Sequence, residues 1–222
     1  MDVAEALVKR KSVRAFLKKP VDEKLIIQIL EHAKCAPSGT NTQPWIVAVV
    51  SGETKQILDK KLENAFWSKI PKCQDYNYYP ITEMPPEFKR RRLECGLLMY
   101  QTLGITREDK EARLKQWALN YSAFGAPVVL YCFADKVIEK GSYMDCGMFI
   151  QSIMLMATSL GLATCPEAAL AEYTNIVKET LGYPLDSILL CGIALGYEDK
   201  QAIVNSYRTP RESIENFTKF FK

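Results

Sequence analysis

The stretch CGMFIQSIMLMATSLGLATC, Cys146 to Cys165, constrains this chain more than any other, because about twenty residues without a charge match the thickness of a bilayer. A segment so apolar has to be enclosed, by lipid or by protein. Gln151, Ser152, Thr158 and Ser159 interrupt it, no basic residues flank it, and Pro166 and Glu167 follow at once. It is therefore read as a helix buried on all sides, in a protein core or a dimer interface, and the chain as having no membrane span.

Enclosing it takes a sizeable core, and 222 residues of 48% hydrophobic composition supply one. No linker, repeat or low-complexity tract divides the chain, so residues 1–222 read as a single domain. Val3, Ala6 and Leu7 mark a short helix over 2–9. Ile26, Ile29, Leu30 and Ala33 recur at helical spacing over 22–33, with Asp22 near the N-terminus. WIVAVVSG is a strand rich in β-branched residues, stopped by Gly52. Leu58, Leu62, Ala65 and Phe66 stripe the helix that follows. Further helices are read at 87–103, 107–121 and near 170–181, with buried strands in APVVLYCFA and SILLCGIALG. Together these give an α+β fold, a mixed sheet flanked by helices. Prolines 71, 80, 85 and 86 break every period in 67–88, so about 67–92 is read as an inserted flap. The tail, about 205–222, carries Ile214, Phe217 and Phe221 at helical spacing, anchors that must cover the chain's own core or another subunit.

A net charge of +3, with both signs interspersed, does not suggest a nucleic-acid binder, so any bound anion falls to a few local cations. Seven cysteines lack a C-x-x-C pair and several sit in apolar segments, the pattern of reduced thiols in a cytoplasmic protein. The opening MDVAEALVKRKSVRAF is charged and has no apolar core of a signal peptide. The single histidine, His32, stands three residues from Cys35, a conceivable nucleophile pair, yet a solvated histidine on a helix flank is the plainer reading. No nucleophile elbow, phosphate loop, H-E-x-x-H or metal-ligand spacing occurs. An enzyme of this sequence must borrow its chemistry from a bound cofactor.

Four separated features carry the candidate site. RKSVR holds Arg10, Lys11, Ser12 and Arg14. CAPSGTNTQPW, residues 35–45, is an uncharged loop stiffened by Pro37 and Pro44 and turned at Gly39. TCPEAA spans Thr164 to Ala169, and RTPR spans Arg208 to Arg211. In this order, and over essentially the whole chain, they resemble the FMN-dependent nitroreductase family.

The resemblance implies an intertwined homodimer with FMN bound by residues of both chains, the long apolar helix in the interface and the tail around the partner. It implies that Arg10, Lys11, Ser12 and Arg14 bind the flavin, with Arg211 and Arg208 closing a phosphate site suited to arginine forks. Cys165, Pro166, Glu167 and Ala168 would pass the face and N5 edge of the ring, Cys165 as a buried spectator rather than a redox thiol. Pro37, Ser38, Gly39 and Asn41 would meet the flavin held mainly by the other chain. Asn120 and Tyr121 stand where some members place a lysine, and Asp145 where others place a glutamine. The activity implied is ping-pong hydride transfer from NADH or NADPH through flavin N5 to nitroaromatics, quinones or similar acceptors, with no metal and no catalytic side chain. Aromatic residues of the flap and Phe124 would line the acceptor site. Rival readings are a reductive dehalogenase resembling iodotyrosine deiodinase, a flavin-consuming enzyme of cobalamin lower-ligand synthesis, and a non-catalytic flavin sensor.

Overall fold

Strands form where β-branched and apolar residues run without charge. In the computed structural model, which describes residues 1–79 and 82–222, these are β1 (Trp45–Ser51), β2 (Val128–Ala134), β3 (Ala163–Glu167) and β4 (Ile188–Gly196). They pair in the order β1-β2-β4-β3. Every ladder is antiparallel, which corrects the expected mixed sheet. Among the described residues, parallel pairing is confined to isolated bridges at Ser12–Thr164 and Cys73–Tyr173.

The helices are α1 (Val3–Lys9), α2 (Glu23–Ala33), α3 (Gly52–Trp67), α4 (Pro86–Thr102), α5 (Lys110–Ala118), α6 (Lys140–Ser159) and α7 (Thr174–Leu181). Asp2 and Asp22 cap the first two by accepting main-chain N–H bonds, Glu5 to Asp2 at 2.8 Å and Lys24 to Asp22 at 2.9 Å. The α3 stripe of Leu58, Leu62 and Ala65 packs with Val129, Tyr131 and Phe133 on one face of the sheet. Ile26 and Ile29 of α2 and Phe149 and Ile153 of α6 join Leu130 and Leu195 on the other. Central β2 is thus buried at all seven positions.

The apolar run departs from its expected form in two ways. Its helix stops at Ser159, and Gly161, with φ 76°, turns the chain so that Ala163 to Cys165 enter β3 instead. Nor is it buried on all sides within one chain: Phe149, Ile153 and Ala157 are enclosed, while Met148, Leu155, Met156 and Ser159 are half-exposed. No helix among the described residues is long and apolar enough to cross a membrane.

The residues after β3 are held close to the sheet by Gly192. A side chain there would collide with Leu170, so the 3-10 turn Ala168–Ala171 rests directly on β4.

The first part of the proline-broken stretch is pinned down. Cys73 donates its N–H to Glu172 O at 2.9 Å, and Tyr76 its hydroxyl to Leu190 O at 2.7 Å. Asp75 pairs with the fully buried Lys178 of α7 at 2.7 Å and accepts the Leu189 N–H at 2.7 Å. Pro80 and Ile81, inside the expected flap, lie outside the described residues. The tail also differs from its expectation: only a 3-10 turn, Ile214–Asn216, forms. Phe217 is 70% and Phe221 92% exposed, so the apolar anchors cover nothing on their own chain.

Removing one partner of a buried ion pair leaves the other uncompensated, at a cost of about 3–5 kcal/mol. Lys178→Met should therefore cost about 3 kcal/mol in urea unfolding and release the 70–79 segment to limited proteolysis, with the sheet retained by circular dichroism.

Candidate functional site

Local pairing brings the two ends of the chain together. Residues 12 and 13 run beside β3, the Val13 N–H donating to Thr164 O at 3.0 Å. Past β4 the chain returns along the same segment, with Leu17 N–H to Tyr197 O at 2.9 Å and Asp199 N–H to Ala15 O at 3.1 Å. Buried Asn205 stitches the two. Its Oδ1 accepts the Arg14 N–H at 2.8 Å, and its Nδ2 donates to Ala15 O and Asp199 O, each at 2.9 Å.

That stitching sets RKSVR against RTPR. Arg208 donates to the Arg10 carbonyl at 2.6 Å. Arg211 donates to Thr209 O, Thr209 Oγ1 and Pro210 O, at 2.8–3.0 Å. Burial, then the nearby charges of Arg211 and Arg208, pull the half-buried Arg10 below its ordinary pKa. Among the described residues none of these three guanidiniums pairs with a carboxylate. The neighbouring cations are spent differently: Lys11 pairs with Glu198 at 2.7 Å and donates to Asn205 O, while Arg14 donates to the Tyr207 hydroxyl at 3.1 Å. Like charges gathered without a counter-ion form a site for an anion. Arg10, Lys11, Thr164 and Arg208 border an open cleft of about 950 Å³ there.

Cys165, Pro166 and Glu167 end β3 beside this cluster, and Ala168 begins the following turn. The Cys165 thiol is buried and pushed well up by desolvation, the state of a spectator. Glu167 is only 3% exposed, and neither carboxylate oxygen has a hydrogen-bond partner. Burial raises its pKa far above the glutamate range; Arg14 and Lys55 pull the other way without prevailing. The Tyr131 hydroxyl and Thr164 Oγ1 are also unpartnered and buried. Polar atoms left unsatisfied beside an anion cradle are the mark of a site built to hold something more.

The uncharged loop lies elsewhere in the chain. Pro37 leads into the 3-10 turn Gly39–Asn41, with Thr40, Asn41 and Gln43 all at positive φ, 49°, 61° and 49°. Non-glycine residues in that region store strain, and such strain collects at functional sites. Two bonds hold the shape: Gly39 N–H to buried Asp145 Oδ2 at 3.1 Å, and Gln43 N–H to Ser38 Oγ at 3.0 Å. Trp45 stacks on Phe149 at 4.6 Å and 1°. Among the described residues no hydrogen bond or ion pair links this loop to the arginine cluster, and Asn41 is exposed.

Ala123 and Phe124 also take positive φ, 50° and 53°, ahead of β2. Asn120 bonds Trp117 O at 2.7 Å, and buried Tyr121 donates to Glu172 at 2.5 Å. His32 engages Gln28 O at 2.7 Å and makes no pair with Cys35. Asn205, Tyr207 and Glu198 went unremarked in the sequence because no period or motif marks them; their role exists only once the chain ends meet.

The profile of the nitroreductase family matches residues 7–197. The chain is 37% identical to the 4-nitrobenzoate reductase of Pseudomonas putida, over 99% of this chain and 95% of that one. It superposes with TM-score 0.96 and 37% identity on the FMN and NADPH-dependent nitroreductase NfnB of Sphigopyxis sp. strain HMH, each chain covered completely. The FMN-dependent NfnB of Mycobacterium smegmatis, solved with NADPH, aligns at 35% identity and TM-score 0.94, over 99% of this chain and 98% of that one.

Because Glu167 binds its proton more tightly folded than unfolded, the fold loses stability as pH rises from the ordinary glutamate pKa through the raised one. Glu167→Gln removes this dependence. In thermal melts of flavin-free protein the variant should exceed wild type at pH 8, with the gap closing towards pH 4.

Proposed function

Since the chain belongs to the nitroreductase family, we propose that it is an FMN-dependent oxidoreductase. It moves hydride from NADH or NADPH to nitroaromatics, quinones or similar acceptors in a ping-pong cycle. The observation that carries this reading is the gathering of Arg10, Arg208 and Arg211 without a carboxylate, beside a strand end with buried unpartnered polar atoms. A cofactor with a phosphate at one end and hydrogen-bonding ring edges at the other fits both halves of that site.

Bound FMN would supply the redox chemistry, accepting and returning hydride. The chain's residues bind and orient. Arg10, Arg208 and Arg211 grip the phosphate, each charge-assisted contact worth about 1.5–3 kcal/mol. Lys11 and Ser12 shape the cradle, Lys11 braced by Glu198. Arg14, steadied by Tyr207 and Asn205, would set positive charge beside the bound cofactor, where it favours electron arrival. Cys165, Pro166, Glu167 and Ala168 would hold the cofactor's ring, and burial, which favours the neutral carboxyl, keeps Glu167 from cancelling Arg14.

Pro37, Ser38, Gly39 and Asn41 serve the flavin of a second copy of this chain, so the working form is a homodimer. Three features support this: the strained exposed loop, the half-exposed face of α6, and a tail whose phenylalanines cover nothing of their own. All seven cysteines are unpaired thiols, in keeping with a cytoplasmic protein.

Purified protein should show flavin absorbance, and NAD(P)H should bleach it with repeated recovery when a nitroaromatic is added. A single bleach without turnover would instead indicate a sensor. Arg10→Ala and Arg211→Ala should each weaken FMN retention by about tenfold or more in fluorescence titration; wild-type affinity in both would remove them from the site.

A further inference from the structure

The basic run Lys89–Arg92 has no part in the cradle described above. Arg90 forks onto Glu94 at 3.0 and 3.1 Å and reaches Glu212 at 2.9 Å. Arg91 lies 3.4 Å from Glu212, and Lys89 pairs with Glu83. These contacts fasten one side of α4 to the C-terminal arm. Arg92 faces elsewhere and has no carboxylate among the described residues; its guanidinium lies over the Tyr79 ring, 4.5 Å from the centroid.

A second uncommitted guanidinium meets it from α5. Arg113 lies over the Tyr100 ring at 4.9 Å and, among the described residues, donates only to the Arg107 carbonyl, at 3.3 Å. Between Arg92 and Arg113 opens a cleft of about 560 Å³ walled by Met84, Leu93, Leu97 and Tyr100; Glu83 and Lys89 also line it, and because they pair with each other the two arginines carry its uncompensated charge. Arg92, Leu93, Leu97 and Tyr100 recur at helical spacing, so the cleft runs along one face of α4. Its volume falls in the range of small-molecule sites, and apolar walls with a few placed polar groups are what such sites present. Stacking on a ring leaves the edge of a guanidinium free, and that edge matches a carboxylate. Inorganic phosphate would leave the apolar walls uncovered; an aromatic ring would fill them.

We propose that this cleft binds a single-ring aromatic carboxylate, its acid group between Arg92 and Arg113 and its ring against Tyr100 and the leucines. Resting on the reading of the chain as a nitroaromatic reductase, the site favours carboxylated acceptors over neutral ones. It does so by holding them on α4, which packs against the 203–205 turn and brings Cys95 near Tyr207, beside the cradle.

The test is calorimetric titration of the flavin-loaded enzyme with benzoate, with benzyl alcohol as the neutral counterpart. Benzoate should bind, benzyl alcohol should bind far more weakly, and Arg92→Ala and Arg113→Ala should each weaken benzoate by about tenfold, leaving flavin content and melting temperature unchanged. The same variants should raise KM for 4-nitrobenzoate about tenfold and leave KM for nitrobenzene alone. Benzoate affinity unmoved in both variants overturns the site, as does equal binding of benzyl alcohol. An unmoved KM ratio overturns its service to acceptors. The isotherm needs no turnover, so failure of the redox reading and failure of the cleft are separate results.

Discussion

Among the described residues three guanidiniums, Arg10, Arg208 and Arg211, gather without a carboxylate partner, a repulsion that a bound anion relieves, and much of the surrounding structure keeps them in place. Arg10 and Arg208 are joined by a 2.6 Å hydrogen bond across almost the whole sequence. Asn205 makes that possible by binding three main-chain groups from two segments, and Glu198 removes Lys11 from the competition. The sheet contributes its edge: β3 sits outermost, so residues 12 and 13 can lie beside it and bring Arg14 to the end where Glu167 is buried.

The uncharged loop carries strain without local purpose. Thr40, Asn41 and Gln43 occupy left-handed backbone on an exposed loop that Asp145 and Ser38 hold in shape. All three residues remain exposed within one chain. In the proposed dimer a second copy would give the strain a use, and would give the half-exposed face of α6 and the phenylalanines of the tail a surface to meet. On this view the phosphate cradle is complete in one chain, and the ring site is not.

Most helices and strands were legible because hydrophobic periodicity survives translation into packing, as in the α3 stripe and the wholly buried β2. The order of the four motifs carried the family, and it was enough to single out RKSVR and RTPR, whose Arg10 and Arg208 the fold brings together. Three features were not legible. The uncharged run is one apolar stretch in sequence, yet a left-handed Gly161 splits it between helix and strand, and a window that counts charges does not see a turn. Ile214, Phe217 and Phe221 have helical spacing, but an isolated helix that short lacks stability without a surface to pack on, and one chain offers none. Proline density in 67–88 marked an irregular flap but not what holds it: the Asp75–Lys178 pair ties its first part to α7, a pairing across about a hundred residues that no local pattern encodes.

Subunit complementation measures the central claim, a flavin site that two chains build. Arg10→Ala/Arg211→Ala chains lack the phosphate grip, and Ser38→Ala/Asn41→Ala chains lack the partner loop, so neither alone should retain FMN well. Co-expressed with separate tags and purified as the mixed species, they should regain wild-type affinity in one of two sites, because one pairing reunites an intact cradle with an intact loop. Flavin content equal to the mean of the two parents, with no tight site regained, would contradict it.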